Sequence, residues 1–292
     1  MLESIDPNLL AFLGAIIIAV ARTLYRGALS RLGPGVVALF SSAITLVISW
    51  LYFWAVGDVD VWHPQGLFWF ALIGFMGGLG NRYLSFFSMS KVGLARTSIL
   101  MQTSLLWSSL LAIAFLGERP THWVILGSIT IMLGSILLVY RRENEKLNIR
   151  FVYYLIPLAI ALIQGFSQLF RKYGYYWLPS ASLGMSVANS MAMICLLVVV
   201  PFAEDVSLKR WEQRPAYLVI LGALFNAFAM ILFWTAVKMG NIVEVIPINR
   251  LSVLLIILFS WLFFRKQEAI TAQVVLGGFL SVAGAWAIVL GK

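Results

Sequence analysis

A pattern of one acid and two glycines occurs twice in this chain. Glu118-x8-Gly127-x6-Gly134 returns 150 residues later as Glu268-x8-Gly277-x6-Gly284, and each copy follows one long apolar segment and opens another. Five apolar segments lie before the midpoint and five after it. An odd number of membrane crossings in each copy makes the second copy enter from the opposite side, which relates the two by a pseudo-two-fold axis in the membrane plane. The predicted fold is an all-α membrane protein of ten transmembrane helices, arranged as two inverted five-helix repeats over residues 1–145 and 146–292. Transporters are typically built this way.

Smaller matches extend the repeat. Arg26 and Pro34 correspond to Arg171 and Pro179 at a displacement of 145, while Phe86 and Lys91-Val92-Gly93 correspond to Phe233 and Lys238-Met239-Gly240 at 147. Preserved order with drifting offsets is what an old duplication with small insertions leaves behind.

Composition agrees. The 292 residues are 61% hydrophobic and 11% charged, far more apolar than a soluble domain. Ten crossing helices of about 20 residues use about 200 positions, so no soluble domain fits between them. Cys195, the single cysteine, lies in an apolar segment and excludes an intramolecular disulfide and a thiolate metal cluster. The net charge of +9 is read against the bilayer rather than against nucleic acid, for which no partner role is expected. The N-terminus holds Glu3 and Asp6 and no base ahead of its apolar stretch, unlike a signal peptide, so a retained first helix is expected.

Hydropathy and breaker residues place helices at roughly 8–31, 35–56, 66–90, 95–117, 121–140, 152–173, 180–202, 214–237, 242–264 and 270–290. The polar run Arg141-Arg142-Glu143-Asn144-Glu145-Lys146 between the halves reads as a solvated linker. Arg31, Lys91, Arg141, Arg142, Lys146, Arg150, Lys209, Arg210, Arg214, Arg265 and Lys266 fall on one side; only Arg119, Arg171, Lys172, Lys238 and Lys292 fall on the other. That count puts the linker in the cytoplasm and both termini outside.

The run from Leu94-Ala95 to Leu116-Gly117-Glu118-Arg119, followed by a glycine-spaced helix ending Gly134-Ser135-Ile136-Leu137-Leu138-Val139, resembles the Leu-Gly-Glu signature of the EamA branch of the drug/metabolite transporter superfamily. The resemblance spans nearly the whole chain. It implies a ten-helix carrier that exchanges or exports small metabolites through a central cavity lined by helices 1, 3, 4, 6, 8 and 9. It also implies cytoplasmic termini, contrary to the charge count. The Trp-Gly pair common in the first helix of that family is replaced here by Ile18-Ala19-Val20-Ala21-Arg22.

Glu118 and Glu268 are expected to cap helices 5 and 10, where a carboxylate meets unpaired N–H groups and the positive end of the dipole. Gly127, Gly134, Gly277 and Gly284 are expected to allow close helix contact. Function is sought in positive charge at membrane depth: Arg22 lies about 20 Å along helix 1, Arg82 about 24 Å along helix 3 and Arg250 about 12 Å along helix 9. A central charge costs about 2.5 to 3.5 kcal/mol on insertion scales, so such residues face a cavity or a partner. Snorkelling to the nearer interface is the structural alternative.

Glu244 is the only carboxylate inside a helix and the candidate to carry H+ as a coupling ion. Tyr25, Asn81, Tyr83, Gln102, Gln164, Gln168, Asn226 and Asn249 supply hydrogen-bonding groups beside the arginines, and Pro247 loosens helix 9. Together they make a candidate substrate site for an anionic or zwitterionic metabolite. No acyltransferase pair, acidic Mg2+ cluster or phosphate loop occurs, so the expectation is no enzyme, no cofactor, no metal, and secondary transport by alternating access. The alternatives are a flippase for an anionic lipid head group and a non-transporting membrane scaffold. The expected partners are a small-molecule substrate and the lipid bilayer, with the protein a multi-pass monomer or homodimer of the cell (inner) membrane. Substrate selection is expected where the copies differ: Arg82 has no basic counterpart at Ala229, and Arg250 has none at Thr103 or Leu100.

Overall fold

The computed structural model describes residues 2–29, 32–56, 62–78, 84, 85, 88, 100–139, 152–199, 213–252, 254, 255, 259 and 272–291. Among them are a 3-10 turn, Leu2–Ser4, ten α-helices and no strand. The helices are α1 (Pro7–Leu29), α2 (Pro34–Val56), α3 (Pro64–Met76), α4 (Ser104–Leu116), α5 (His122–Val139), α6 (Val152–Trp177), α7 (Ala181–Val199), α8 (Gln213–Met239), α9 (Ile242–Arg250) and α10 (Ala272–Leu290). Five of them, α1, α2, α6, α7 and α8, contain stretches long and apolar enough to cross a membrane. The chain is an integral membrane protein of two five-helix repeats.

The burial pattern suits lipid rather than water. Trp54, Phe115, Trp123, Phe279 and Trp286 are exposed, while Ser42, Thr45, Ser49, Ser182 and Ser186 are buried. Most of the buried hydroxyls donate to a carbonyl one turn back, Thr45 to Ser41 at 2.7 Å and Ser186 to Ser182 at 2.9 Å, which leaves little polar demand between helices.

Two compact units cut across the repeats: residues 1–83 with 170–240, and residues 84–169 with 241–292. In the first unit α1 packs along α8, and α7 packs against α2 and α3. Trp50 Nε1 donates to Ser190 Oγ at 3.0 Å, tying α2 to α7. Asp6 caps α1, accepting from Asn8 N at 2.8 Å and Leu9 N at 3.3 Å, with Pro7 placed where no N–H is required.

In the second unit α5 packs along α10 and α4 against α9. A Cβ at Gly127 would lie 2.5 Å from Gly284 O, and one at Gly284 would lie 2.6 Å from Gly127 O. One at Gly134 would lie 2.6 Å from Gly277 O, so these four glycines let the two backbones touch. Thr121 Oγ1, just before α5, donates at 3.0 Å to Gly291 O, just after α10. Start therefore meets end: these repeat-equivalent helices run antiparallel, the inversion seen in a single pair.

Several helices depart from their expected ends. α6 runs through Gly174 to Trp177 rather than stopping near 173, because Gly174 lies flush against the Phe70 ring and Leu178 N closes the helix on Gly174 O at 2.9 Å. The unbroken helices expected at 95–117 and 242–264 are each interrupted, at Thr103 and at Leu251.

Candidate functional site

The two interruptions fall at nearly corresponding places in the repeats, since the flanking offsets of 147 and 150 carry Thr103 to Arg250 and Val253, on either side of Leu251. Each is a single tight turn. Thr103 N donates to Leu100 O at 3.2 Å and Leu251 N to Ile248 O at 3.1 Å, three residues back instead of four. Their local settings differ. Thr103 Oγ1 donates to Leu100 O at 2.7 Å, the back-bonding that bends helices. In α9 the ring of Pro247 removes a donor and crowds the preceding turn. Paired breaks in corresponding helices mark the binding sites of inverted-repeat carriers.

Arg250 sits at the break of α9. Its Nη2 donates to Ser104 Oγ at the break of α4 and to Gln164 Oε1 on α6, each at 2.6 Å. Both acceptors are neutral oxygens, and the two bonds orient the guanidinium. Gln102, on the other side of Thr103, is 1% exposed, and among the described residues neither polar atom of its carboxamide has a hydrogen-bond partner. A buried amide left so costs about 1 to 3 kcal/mol.

The expected constellation is thus divided. Gln102, Gln164, Gln168, Asn249, Arg250 and Glu244 belong to the second unit, and Arg22, Tyr25 and Asn226 to the first. Glu244 stands in the first turn of α9, six residues before Arg250, and accepts from Asn241 Nδ2 at 3.1 Å. In the first unit Arg22 is exposed on α1, and Asn226 Nδ2 lies 3.6 Å from Met230 Sδ. The Tyr25 ring packs so closely on Gly222 that a Cβ there would come within 2.9 Å of it. Asn81, Arg82, Tyr83 and Glu268 lie outside the described residues.

Three features escaped the sequence reading. Ser104 is one; it could have been noticed as the third member of a polar triplet, Gln102-Thr103-Ser104, inside an apolar segment. The second is Arg171, grouped by sequence with loop cations but only 6% exposed. Its guanidinium lies 4.2 Å from the Trp234 ring centroid and 5.1 Å from that of Phe233, and Tyr175 OH donates to Trp234 O at 2.8 Å. No local pattern announces that cage, because its parts come from α6 and α8.

The third is the target of Glu118. Its Oε1 accepts from Ile242 N and its Oε2 from Val243 N, both at 3.0 Å, so it caps α9. Its own helix, α5, is capped instead by Thr121 Oγ1, which accepts from Val124 N at 3.4 Å. The Leu-Gly-Glu tripeptide explains the difference. Gly117, at φ +66°, ends α4 in the left-handed region, and Glu118 N then turns back to Ala112 O at 3.3 Å. The side chain that leaves this turn points at the next free helix start, that of α9.

A helical membrane protein of two inverted five-helix repeats has the build of a membrane transporter. The family model agrees twice over: it matches residues 7–140 and again 150–290, and the chain belongs to the EamA-like transporter family. A solved crystal structure is similar to the whole chain, with a TM-score of 0.79 and 17% identity over 98% of this chain and 97% of that one. That likeness concerns the fold. No curated protein matches the sequence.

Proposed function

We propose that this membrane transporter is a secondary carrier of a small anionic or zwitterionic metabolite in the cell (inner) membrane, working by alternating access, with Arg250 receiving the anionic group. The observation that carries this reading is Arg250 itself, a guanidinium placed at the break of α9, where Ser104 Oγ and Gln164 Oε1 accept from its Nη2. A guanidinium offers a fork of donors that a carboxylate fills with two oxygens, a charge-assisted pair stronger than a neutral hydrogen bond.

Purified protein in detergent, screened by thermal shift against pairs of a carboxylate and its amide, tests this. A ligand present at about 100 times its Kd stabilises by about 2.7 kcal/mol, a readily measured rise. The carboxylate of a recognised pair should raise the melting temperature, its amide should not, and Arg250→Ala should abolish the rise. Equal stabilisation by acid and amide would sink the anionic reading.

A further inference from the structure

We propose that Glu118 is a positioning residue for the Arg250 site: its carboxylate fixes where α9 begins and therefore where Arg250 stands. The proposal rests on the reading of Arg250 as the anion-binding group. The backbone of Glu118 is set by α4, through Gly117 and the bond from Glu118 N to Ala112 O. From that fixed point both carboxylate oxygens hold consecutive N–H groups of α9, those of Ile242 and Val243. One bond would fix the distance of the first turn, and two from a planar group also fix its rotation.

The start of α9 depends on this outside support. Asn241 precedes it with an extended backbone, φ −75° and ψ 144°, yet makes no side-chain cap, and its amide donates instead to Glu244 Oε1. Arg250 follows eight residues after Ile242, about 12 Å along the axis. A slip of one residue would turn it by about 100° and move it about 1.5 Å, more than a hydrogen bond tolerates. Ser104 also belongs to α4, so one helix both places α9 and receives the arginine that α9 presents.

The test is the rate at which phenylglyoxal modifies Arg250 and Arg22 in the full-length protein in nanodiscs, read by mass spectrometry of each peptide. Glu118→Gln keeps the size of the side chain but turns one acceptor into a donor facing an N–H. It should speed modification of Arg250 at least about fivefold, the effect of losing one hydrogen bond of about 1 kcal/mol, and leave Arg22 within about twofold. Ser104→Ala, which removes one direct partner of Arg250 and leaves Gln164, gives the scale of losing a single contact. An unchanged Arg250 rate, or equal acceleration at both arginines, overturns the proposal.

If Glu118→Gln shows no melting transition, Glu118→Asp replaces it: the charge stays but the reach is lost, and the same acceleration is expected. Wild-type protein is treated in parallel with glutamate or lactate present. Failure of either to protect Arg250 counts against the anionic cargo and not against Glu118, because the variant rates are measured without ligand.

Discussion

At the scale of single residues, two arginines show how one side chain type does different work in a membrane. Arg250 is oriented by neutral oxygens at a helix break, whereas Arg171 is buried against two aromatic faces. A desolvated cation–π contact contributes about 2 kcal/mol. Arg171→Met should therefore lower stability by about 2 kcal/mol or more in detergent unfolding, while Arg119→Gln, at an exposed site, should stay within about 0.5 kcal/mol. Equal melting temperatures for the two variants would contradict the packing assigned to Arg171. Sequence showed Arg250 because charge is rare inside an apolar segment. It could not separate Arg171 from a loop cation, since the rings that enclose it lie some 60 residues away in α8. For Glu118 it showed a cap and missed which helix is capped, because a side chain leaving a turn reaches whatever the tertiary fold brings near.

Helices add the breaks and the close contacts. The repeat gave the order of the ten segments, and the structure describes a helix in each of them. Hydropathy cannot show where α4 and α9 are interrupted, because Thr103 and Leu251 interrupt the hydrogen-bond pattern and not the apolar run. Pro247 was the one visible sign. Pro247→Ala restores a backbone donor and, at about 3 kcal/mol for proline in a helix interior, should raise the melting temperature. If the break serves transport, the same variant should carry substrate more slowly; faster or unchanged uptake would mean that the break is incidental.

The α5–α10 contact makes a second prediction. Gly134→Val would drive its side chain into Gly277 O and Ser281, and overpacking of this kind costs about 1 to 3 kcal/mol. At Gly77 an added Cβ meets nothing within 4 Å, so Gly77→Ala should be neutral or mildly stabilising in the same melting assay.

For the whole molecule, the duplication legible in the sequence and the units formed by packing are different divisions. α1 of the first repeat packs along α8 of the second, and α5 of the first along α10 of the second. Each half therefore leaves apolar and glycine-lined faces uncovered when alone. Residues 1–145 and 146–292 expressed separately should each fail to give a monodisperse species, and expressed together should assemble. A well-behaved single half would contradict the interleaving. Periodicity reveals ancestry, whereas the packing partner of each helix is a long-range property.

The central claim, that Arg250 receives the anionic group of the cargo, is tested most directly by uptake into proteoliposomes of the carboxylate that most stabilises the wild-type protein. Arg250→Ala should lower uptake kcat/KM at least about tenfold, equal to about 1.4 kcal/mol of lost interaction, and Arg250→Lys should retain an intermediate rate. Uptake by Arg250→Ala at the wild-type rate would contradict the account.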